Sequence, residues 1–160
     1  SVLKDAAFHA ASKVCTGTEI KVHDSGTYIC IEGPALPTRA ESVLYRTWGG
    51  DVLGMTAMPE VKLAREAQLA YCVLAVAGEY DSWRPRAGDK EMEQIYARVG
   101  ASVALTHEIV VDLASRICEA APSPFAAESL SGAIMTDPQH IPPQVREDLK
   151  PIIEGYGADD

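Results

Sequence analysis

The spacing of apolar residues predicts a helix at the start of the chain and strands after it. Residues 2 to 14 place Val, Leu and Ala on one helical face, with no Pro or Gly among them, and Thr16-Gly17 marks the end of that helix. Residues 20 to 22 and 27 to 31 are rich in β-branched and aromatic side chains, which are typical of strands. A helix followed by two short strands is therefore expected.

The central third of the chain alternates helices and strands. Thr38 has a glutamate three residues later, which is a capping-box pattern, so a helix is predicted from Thr38 to about residue 48. Residues 51 to 53 predict a short strand, and residues 59 to 69 predict a helix that begins at a proline. The unbroken apolar run of residues 70 to 77 is typical of a strand buried on both faces.

This alternation predicts a three-layer α/β/α sandwich, in which ligands bind where loops leave the carboxyl ends of the strands. Residues 90 to 120 predict one long helix, interrupted at most near Gly100, and a short helix is expected over residues 143 to 153. We expect residues 1 to 160 to form part of a single domain, with residues 122 to 160 as its peripheral C-terminal extension.

Composition narrows the function classes. The 160 residues carry a net charge of −9, which excludes a general basic footprint for nucleic acid and argues against an anionic membrane surface as a partner. No apolar run is long enough to span a bilayer. The four cysteines lack metal-type spacing, so we expect four buried free thiols in a reducing cytosol. A cytoplasmic protein is predicted, with no metal site.

Short sequence blocks between residues 26 and 83 follow one another in an informative order. They are Gly-Thr-Tyr-Ile-Cys-Ile-Glu-Gly-Pro (26–34), Thr-Arg-Ala-Glu-Ser (38–42), Trp-Gly-Gly-Asp (48–51), Gly-Met-Thr (54–56), Pro-Glu-Val (59–61) and Glu-Tyr-Asp-Ser-Trp (79–83). In this order they resemble the C-terminal half of the trimeric purine nucleoside phosphorylase family, and most of all its 5′-methylthioadenosine phosphorylase branch. The resemblance covers roughly residues 1 to 120.

The resemblance implies a nucleoside phosphorylase-type sandwich of which this chain holds the C-terminal half. The N-terminal half of the same domain, with its phosphate loop, would then be a separate partner chain, and the completed domain would form a homotrimer. The chain opens with Ser1 and not with Met. Either the numbering starts there, or cleavage of a longer precursor created Ser1.

Two acids follow the apolar run, in the sequence Gly78-Glu79-Tyr80-Asp81. In an extended segment both carboxylates point to one side, which suits general acid work or recognition of a heterocycle, although a solvated acidic loop is the alternative from spacing alone. The matching family block usually reads Thr-Asp-Tyr-Asp-Cys-Trp, so the resemblance sets Gly78 in place of a threonine and implies that it borders the substrate. The resemblance implies that Glu79 serves the purine N7 and Asp81 the 6-amino group. Glu79 reaches one methylene further than Asp, and a shift of about 1 Å can cost about a hundredfold in rate.

Further binding residues are implied by other blocks of the same resemblance. Met55 would lie against the sugar and Thr56 would bind phosphate, and Leu36 would wall the base where the family usually has an aromatic residue. Core packing is the alternative for Met55. Trp83 is interpreted as a packing residue that anchors the acidic loop. Three apolar side chains on one predicted helical face would line the pocket of the 5′-substituent or pack in the core: Met92, Ile95 and Tyr96.

The leading hypothesis is therefore an enzyme part, a pentosyltransferase. Together with its N-terminal half, the chain would carry out phosphorolysis of a 6-aminopurine nucleoside such as 5′-methylthioadenosine, with phosphate as co-substrate and no cofactor. Substitutions beside the base leave two alternatives open. The chain could be a non-catalytic structural subunit of the same fold, or an enzyme repurposed for another reaction on a nucleoside.

Overall fold

The computed structural model describes residues 1–85, 89–118 and 124–153, with the backbone alone for residues 89–92, 124 and 125. The chain divides into two compact units. The first unit contains Ser1–Met58 and the chain from Cys72 through the long helix, and the second contains Pro59–Tyr71 and the C-terminal segment. Each unit is described by itself below.

A pair of helices forms the core of the first unit. Helix α1 spans Val2–Val14, as predicted, and the Ser1 hydroxyl caps it by accepting the Lys4 N–H at 3.3 Å. The 29-residue helix here named α4 spans Asp89–Ile117 without a break at Gly100. Small buried side chains let the two helices pack closely, and the cluster between them consists of Ala10, Ala11, Cys15 and Ile109, with Val14, Val22 and Leu113 against it.

A parallel βαβ unit occupies the centre of the first unit. Strand β1 (Tyr28–Cys30) pairs with β2 (Val52–Gly54), and helix α2 (Arg39–Thr47) forms the crossover between them. In the observed register Tyr28 lies opposite Val52, and Cys30 lies opposite Gly54. Both strands and the helix were predicted; β1 is shorter than the predicted range, and β2 lies one residue later than predicted.

The predicted capping box at the start of α2 is confirmed. The Thr38 N–H donates to Glu41 Oε2 at 2.7 Å, and the Glu41 N–H donates to Thr38 Oγ1 at 3.3 Å. Because Thr38 donates both its N–H and its hydroxyl to the carboxylate, the pKa of Glu41 lies below its ordinary value. The start of the helix is therefore stabilised by hydrogen bonds within its own first turn.

Two predicted strands are wrong. Residues 20 to 22 form no strand, and Val22 instead packs against the α1–α4 cluster. Residues 70 to 77 form no strand either and are not buried on both faces, since Val73 is 41% and Val76 43% exposed. A strand requires a neighbour for its backbone N–H and C=O groups. Among the described residues the only ladder joins β1 and β2, so this apolar run has no strand beside it.

The second unit is built from short helical pieces. The predicted helix over residues 59 to 69 is observed as α3 (Glu60–Glu66), and Gln68 Nε2 donates to the Ile152 carbonyl at 3.2 Å. Ser129 Oγ also donates to the Arg65 carbonyl at 2.8 Å. The other pieces are α5 (Pro124–Ala127), a 3-10 turn (Pro138–His140), α6 (Pro143–Asp148) and α7 (Lys150–Ile153), so the predicted last helix is observed in two parts.

The four cysteines are free thiols, as predicted, but the expectation that all are buried is wrong. Cys15 is buried, Cys30 and Cys72 are half-buried, and Cys118 is exposed near the end of α4. Burial raises the pKa of the Cys72 thiol, and the positive charge of Lys4 partly offsets this. No helix in the described part of the chain is both long and apolar enough to cross a membrane.

Candidate active site

The loops that leave β1 and β2 meet at one edge of the sheet, because parallel strands end on the same side. The Ile31 N–H donates to the Gly54 carbonyl at 2.9 Å and so extends the pairing beyond the strands. Gly33 and Met55 then come into contact, since a Cβ on Gly33 would lie 3.0 Å from Met55 Sδ. Glycine at this position lets the thioether lie directly on the backbone of the neighbouring loop.

Around this contact the loops expose one hydroxyl and one apolar side chain. Thr56 is exposed beside the half-buried Met55. In the other loop Leu36 is 56% exposed, whereas the adjacent Pro37 is buried. The edge of the sheet therefore presents an apolar wall and a hydrogen-bond donor toward open space. These are the residues assigned by sequence to the base, the sugar and the phosphate.

The two acids lie in the loop that follows the exposed apolar run. A bend occurs at Glu79, so the segment is not the extended stretch that would point both carboxylates to one side. Glu79 is exposed, whereas Asp81 is half-buried. The Arg84 N–H donates to the Asp81 carbonyl at 3.0 Å and closes the loop beyond the second acid. The two carboxylates therefore differ in their access to solvent.

Helix α4 approaches this loop closely at Gly78. A Cβ on Gly78 would lie 2.7 Å from Val99 Cγ2 and 3.8 Å from Ile95 Cγ2, and no real Cβ comes as close as the first of these distances. The Val99 methyl thus occupies the space that a threonine side chain would need. Glycine at this position therefore permits the approach of α4 to the loop.

Ile95 and Tyr96, which the sequence assigned to a pocket or to the core, differ in their surroundings. Ile95 is 8% exposed and points toward Gly78, whereas Tyr96 is 70% exposed. Consecutive residues on a helix point about 100° apart, which separates these two side chains. The Met92 side chain lies outside the described residues. Of the three, Ile95 is the one that the structure places beside the acidic loop.

Helix α2 holds the acidic loop through Trp83. The Trp83 N–H donates to Ser42 Oγ at 3.1 Å, and Ser42 is 1% exposed. The Arg46 guanidinium carbon lies 3.9 Å from the centroid of the Trp83 ring. Sequence reasoning assigned Trp83 as the anchor of the loop but missed both partners. The spacing of four residues put Ser42 and Arg46 on one face of α2, yet nothing in that pattern indicated what the face contacts.

Two other features that sequence reasoning raised give no further site. The described residues contain no cluster of His, Cys, Asp and Glu that could hold a metal ion. His107 lies on the surface of α4 in a shallow depression beside α1, with Lys13 and Asp112. The candidate site therefore consists of the two strand-end loops and the acidic loop. Helix α2 lies between the two strand-end loops in the chain and contacts the acidic loop at Trp83.

A parallel βαβ unit places this chain in the α/β class, in which ligands commonly bind at the carboxyl ends of the strands. Residues 2–115 match the Phosphorylase superfamily, and the chain belongs to that family. The structure is mixed helix and parallel sheet, as this family requires.

Relatives and solved structures agree on the branch of the family. The chain is 43% identical over 151 residues to an S-methyl-5'-thioadenosine phosphorylase of Geobacter sulfurreducens, covering 94% of this chain and 51% of the relative. It is 37% identical over 154 residues to the enzyme of that name from Gloeobacter violaceus, covering 94% and 52%. The crystal structure of a methylthioadenosine phosphorylase sourced from an Antarctic soil metagenomic library matches with a TM-score of 0.81 at 29% identity, covering 94% of this chain and 52% of that one.

The chain thus spans about half the length of the curated relatives it matches. It has the nucleoside phosphorylase α/β fold, and its extent fits the C-terminal half of that fold. The resemblance inferred from the sequence blocks is confirmed at the level of family, branch and fold.

Proposed function

We propose that this chain is the C-terminal half of a purine nucleoside phosphorylase that cleaves 5′-methylthioadenosine, or another 6-aminopurine nucleoside, with phosphate. The observation that carries the proposal is the acidic loop of Glu79 and Asp81, which α2 holds through Trp83 in the same compact unit as Met55 and Thr56. Relatives with the name S-methyl-5'-thioadenosine phosphorylase match 94% of the chain, including this loop.

In the proposed reaction an oxygen of phosphate forms a bond to the anomeric carbon of the sugar while the N-glycosidic bond breaks. The electron pair of that bond passes to the purine, which leaves as a neutral base because the protonated Glu79 transfers its proton to N7 and becomes a carboxylate. Asp81 accepts a hydrogen bond from the 6-amino group, and Thr56 donates to phosphate. The products are the sugar 1-phosphate and the free base, with no cofactor.

Met55 and Leu36 supply the apolar surfaces of the proposed site. Methionine is a polarizable side chain that adapts to a sugar face, and here it is fixed against Gly33. Leu36 walls the base without aromatic stacking, which is worth about 0.5–1.5 kcal/mol beyond the buried area. The base is therefore held mainly by its hydrogen bonds to the acidic loop.

The N-terminal half of the same domain is the proposed partner. Its strands would pair with residues 72 to 77, which are apolar and have no described strand beside them. That half would also cover Glu79, since an acid that gives up a proton near neutral pH works best when shielded from water. We further propose that the completed domain is a homotrimer in the cytosol.

A second candidate is a non-catalytic subunit of the same fold. The contact between Gly78 and Val99 favours it, because the methyl group fills the space where the resembled family has a threonine side chain. Such a subunit would bind a nucleoside without turnover. An enzyme repurposed for hydrolysis or another reaction would turn over without phosphate.

The test uses the completed protein, in which this chain is combined with its N-terminal half. With 5′-methylthioadenosine and phosphate we expect release of adenine, detected by chromatography, and no release when phosphate is left out. Replacing Glu79→Gln should lower kcat by about a hundredfold, because general acid catalysis typically supplies about 10²–10⁴-fold. Binding of the nucleoside without release of adenine would favour the structural subunit, and release without phosphate would favour a repurposed enzyme.

A further inference from the structure

Helix α2 makes two separate contacts with Trp83. Its backbone N–H donates to the buried Ser42 hydroxyl, and its ring lies under the Arg46 guanidinium at 3.9 Å. Ser42 and Arg46 are one helical turn apart, so both contacts come from the same face of α2. One contact fixes the backbone of the loop and the other fixes the plane of the indole.

The stack continues from Trp83 to the residue between the two acids. The Tyr80 ring packs edge-to-face on Trp83 with centroids 5.6 Å apart, and the Arg84 guanidinium lies 4.5 Å over the Tyr80 ring. Aromatic pairs and guanidinium groups favour these geometries because of the ring quadrupole. The order along the stack is therefore Arg46, Trp83, Tyr80 and Arg84.

Tyr80 is covalently flanked by Glu79 on one side and Asp81 on the other. Because the Tyr80 ring is packed between Trp83 and Arg84, it limits how far the backbone that carries both carboxylates can shift. Arg84 restrains the same segment a second time, because its N–H donates to the Asp81 carbonyl at 3.0 Å. The stack thus links the position of both acids to α2.

We propose that Arg46, acting through Trp83 and Tyr80, is a positioning residue that sets where Glu79 and Asp81 lie relative to the purine. This inference rests on the proposed function. Helix α2 also begins at Thr38, two residues after Leu36, so the same rigid element carries the base wall at its start and restrains the acids at its end. Displacing the acids by about 1 Å can cost about a hundredfold in rate.

Arg46 has no comparable role in folding. It is exposed, and it lies outside the buried cluster between α1 and α4. The start of α2 is stabilised by its own capping box. Replacement of Arg46 should therefore leave the fold intact while it releases the stack, which separates a positioning role from a structural one.

The experiment compares Arg46→Met with Arg65→Met in the completed protein. Both arginines lie in the last turn of an α-helix, so each replacement removes the same favourable charge at a helix C-terminus. Only Arg46 stacks on Trp83. We expect Arg46→Met to lower kcat by about tenfold or more and to weaken adenine binding, with KM for phosphate unchanged. Arg65→Met should match wild type, and Arg46→Lys should recover part of the loss, because it keeps a cation over the ring.

A second readout does not depend on turnover. The chain has two tryptophans, and Trp48 is 65% exposed, so a Trp48→Phe background leaves the emission of this chain to Trp83. If the N-terminal half contributes tryptophan, its residues are replaced by Phe in the same background. Arg46→Met should shift the emission and reduce its change on addition of adenine, with melting temperature within a few degrees of the Arg65→Met control.

Each outcome supports or overturns the positioning role of Arg46. If wild type releases adenine or binds it, and Arg46→Met equals Arg65→Met in kcat, adenine affinity and emission, the positioning role is overturned while the proposed function stands. If wild type binds adenine without turnover, the phosphorylase function fails, but a specific loss of affinity in Arg46→Met still supports the positioning role. If wild type neither turns over nor binds adenine, both proposals are overturned.

Discussion

Two regions of the first compact unit differ in how far this chain alone satisfies their backbone and side chains. They are the pair of helices α1 and α4 and the apolar run of residues 72 to 77. The helices satisfy their own backbone hydrogen bonds and bury a shared cluster around Ala10 and Ile109. Within the part of the chain that the structure describes, the apolar run has no strand beside it, and Val76 in it is 43% exposed. Helical parts of a fold can therefore be complete within a half chain, whereas a sheet depends on strands that another segment supplies.

The largest expected effect tests this dependence directly. In this chain alone, Val76→Asp should change the free energy of unfolding by no more than about 0.5 kcal/mol, as is usual for exposed positions. In the completed protein the same replacement should lower the free energy of unfolding by more than about 3 kcal/mol, because it places a charge on a buried face of the completed sheet. Urea denaturation of both forms measures the difference. Equal effects in the two forms would mean that residues 72 to 77 are not covered by the N-terminal half.

Ile109→Ala is the opposite test, since it opens a cavity between helices that are already complete. It should cost about 2–5 kcal/mol, the range for removing a large aliphatic side chain from a core. The cost should be the same in this chain alone and in the completed protein. A cost that appears only in the completed protein would contradict the self-sufficiency of the α1–α4 pair.

The same contrast explains what could be predicted from the sequence. Helix α1 was predicted at its observed bounds, and the capping box was predicted with both of its residues, Thr38 and Glu41, because both features depend on residues close in the chain. The strand predicted over residues 70 to 77 is wrong for this chain, because a strand depends on neighbours that the local pattern does not specify. The order of the short sequence blocks predicted the family, and the family match over residues 2–115 confirms it.

Parts of the candidate site that depend on long-range contacts were missed for a similar reason. The stacking of Arg46 on Trp83 joins residues far apart in the chain, and no local pattern encodes it. The family block sets Gly78 against a threonine, but the close approach of Val99 to Gly78 joins residues far apart in the chain and has no local signal. The bend at Glu79 also broke the assumption of an extended segment, which was the basis for expecting both acids on one side.

A smaller effect is expected at the cap of α2, which lies in the sheet region but is local in character. Thr38→Ala should cost about 1 kcal/mol, as for other N-cap threonines, in this chain alone and in the completed protein alike. Thr38→Ser, which keeps the hydroxyl that accepts the Glu41 N–H, is the matched control and should cost little. Thermal unfolding followed by circular dichroism measures both. A cost that grows in the completed protein would show that the cap also supports contacts to the other half.

The smallest expected effect concerns the ion pair that joins the two self-sufficient helices. Lys13 Nζ lies 2.5 Å from Asp112 Oδ1, and Arg116 Nε lies 2.5 Å from Asp112 Oδ2. Hydrogen bonds from Arg116 and then from Lys13 hold the pKa of Asp112 below its ordinary value. The folded state therefore binds fewer protons at this carboxylate than the unfolded state does, once the pH falls toward the ordinary value of about 4.

The sign of the pH dependence follows from this difference in proton binding. The contribution of Asp112 to stability is present in full above the unfolded pKa and is lost as the pH falls through the lower folded pKa. Wild type should therefore melt slightly above Asp112→Asn near neutral pH, and the gap should close below a pH of about 4. It should also shrink in high salt, because the pair is partly exposed. A gap that stays constant from neutral to acidic pH would mean that the carboxylate acts through packing and not through its charge.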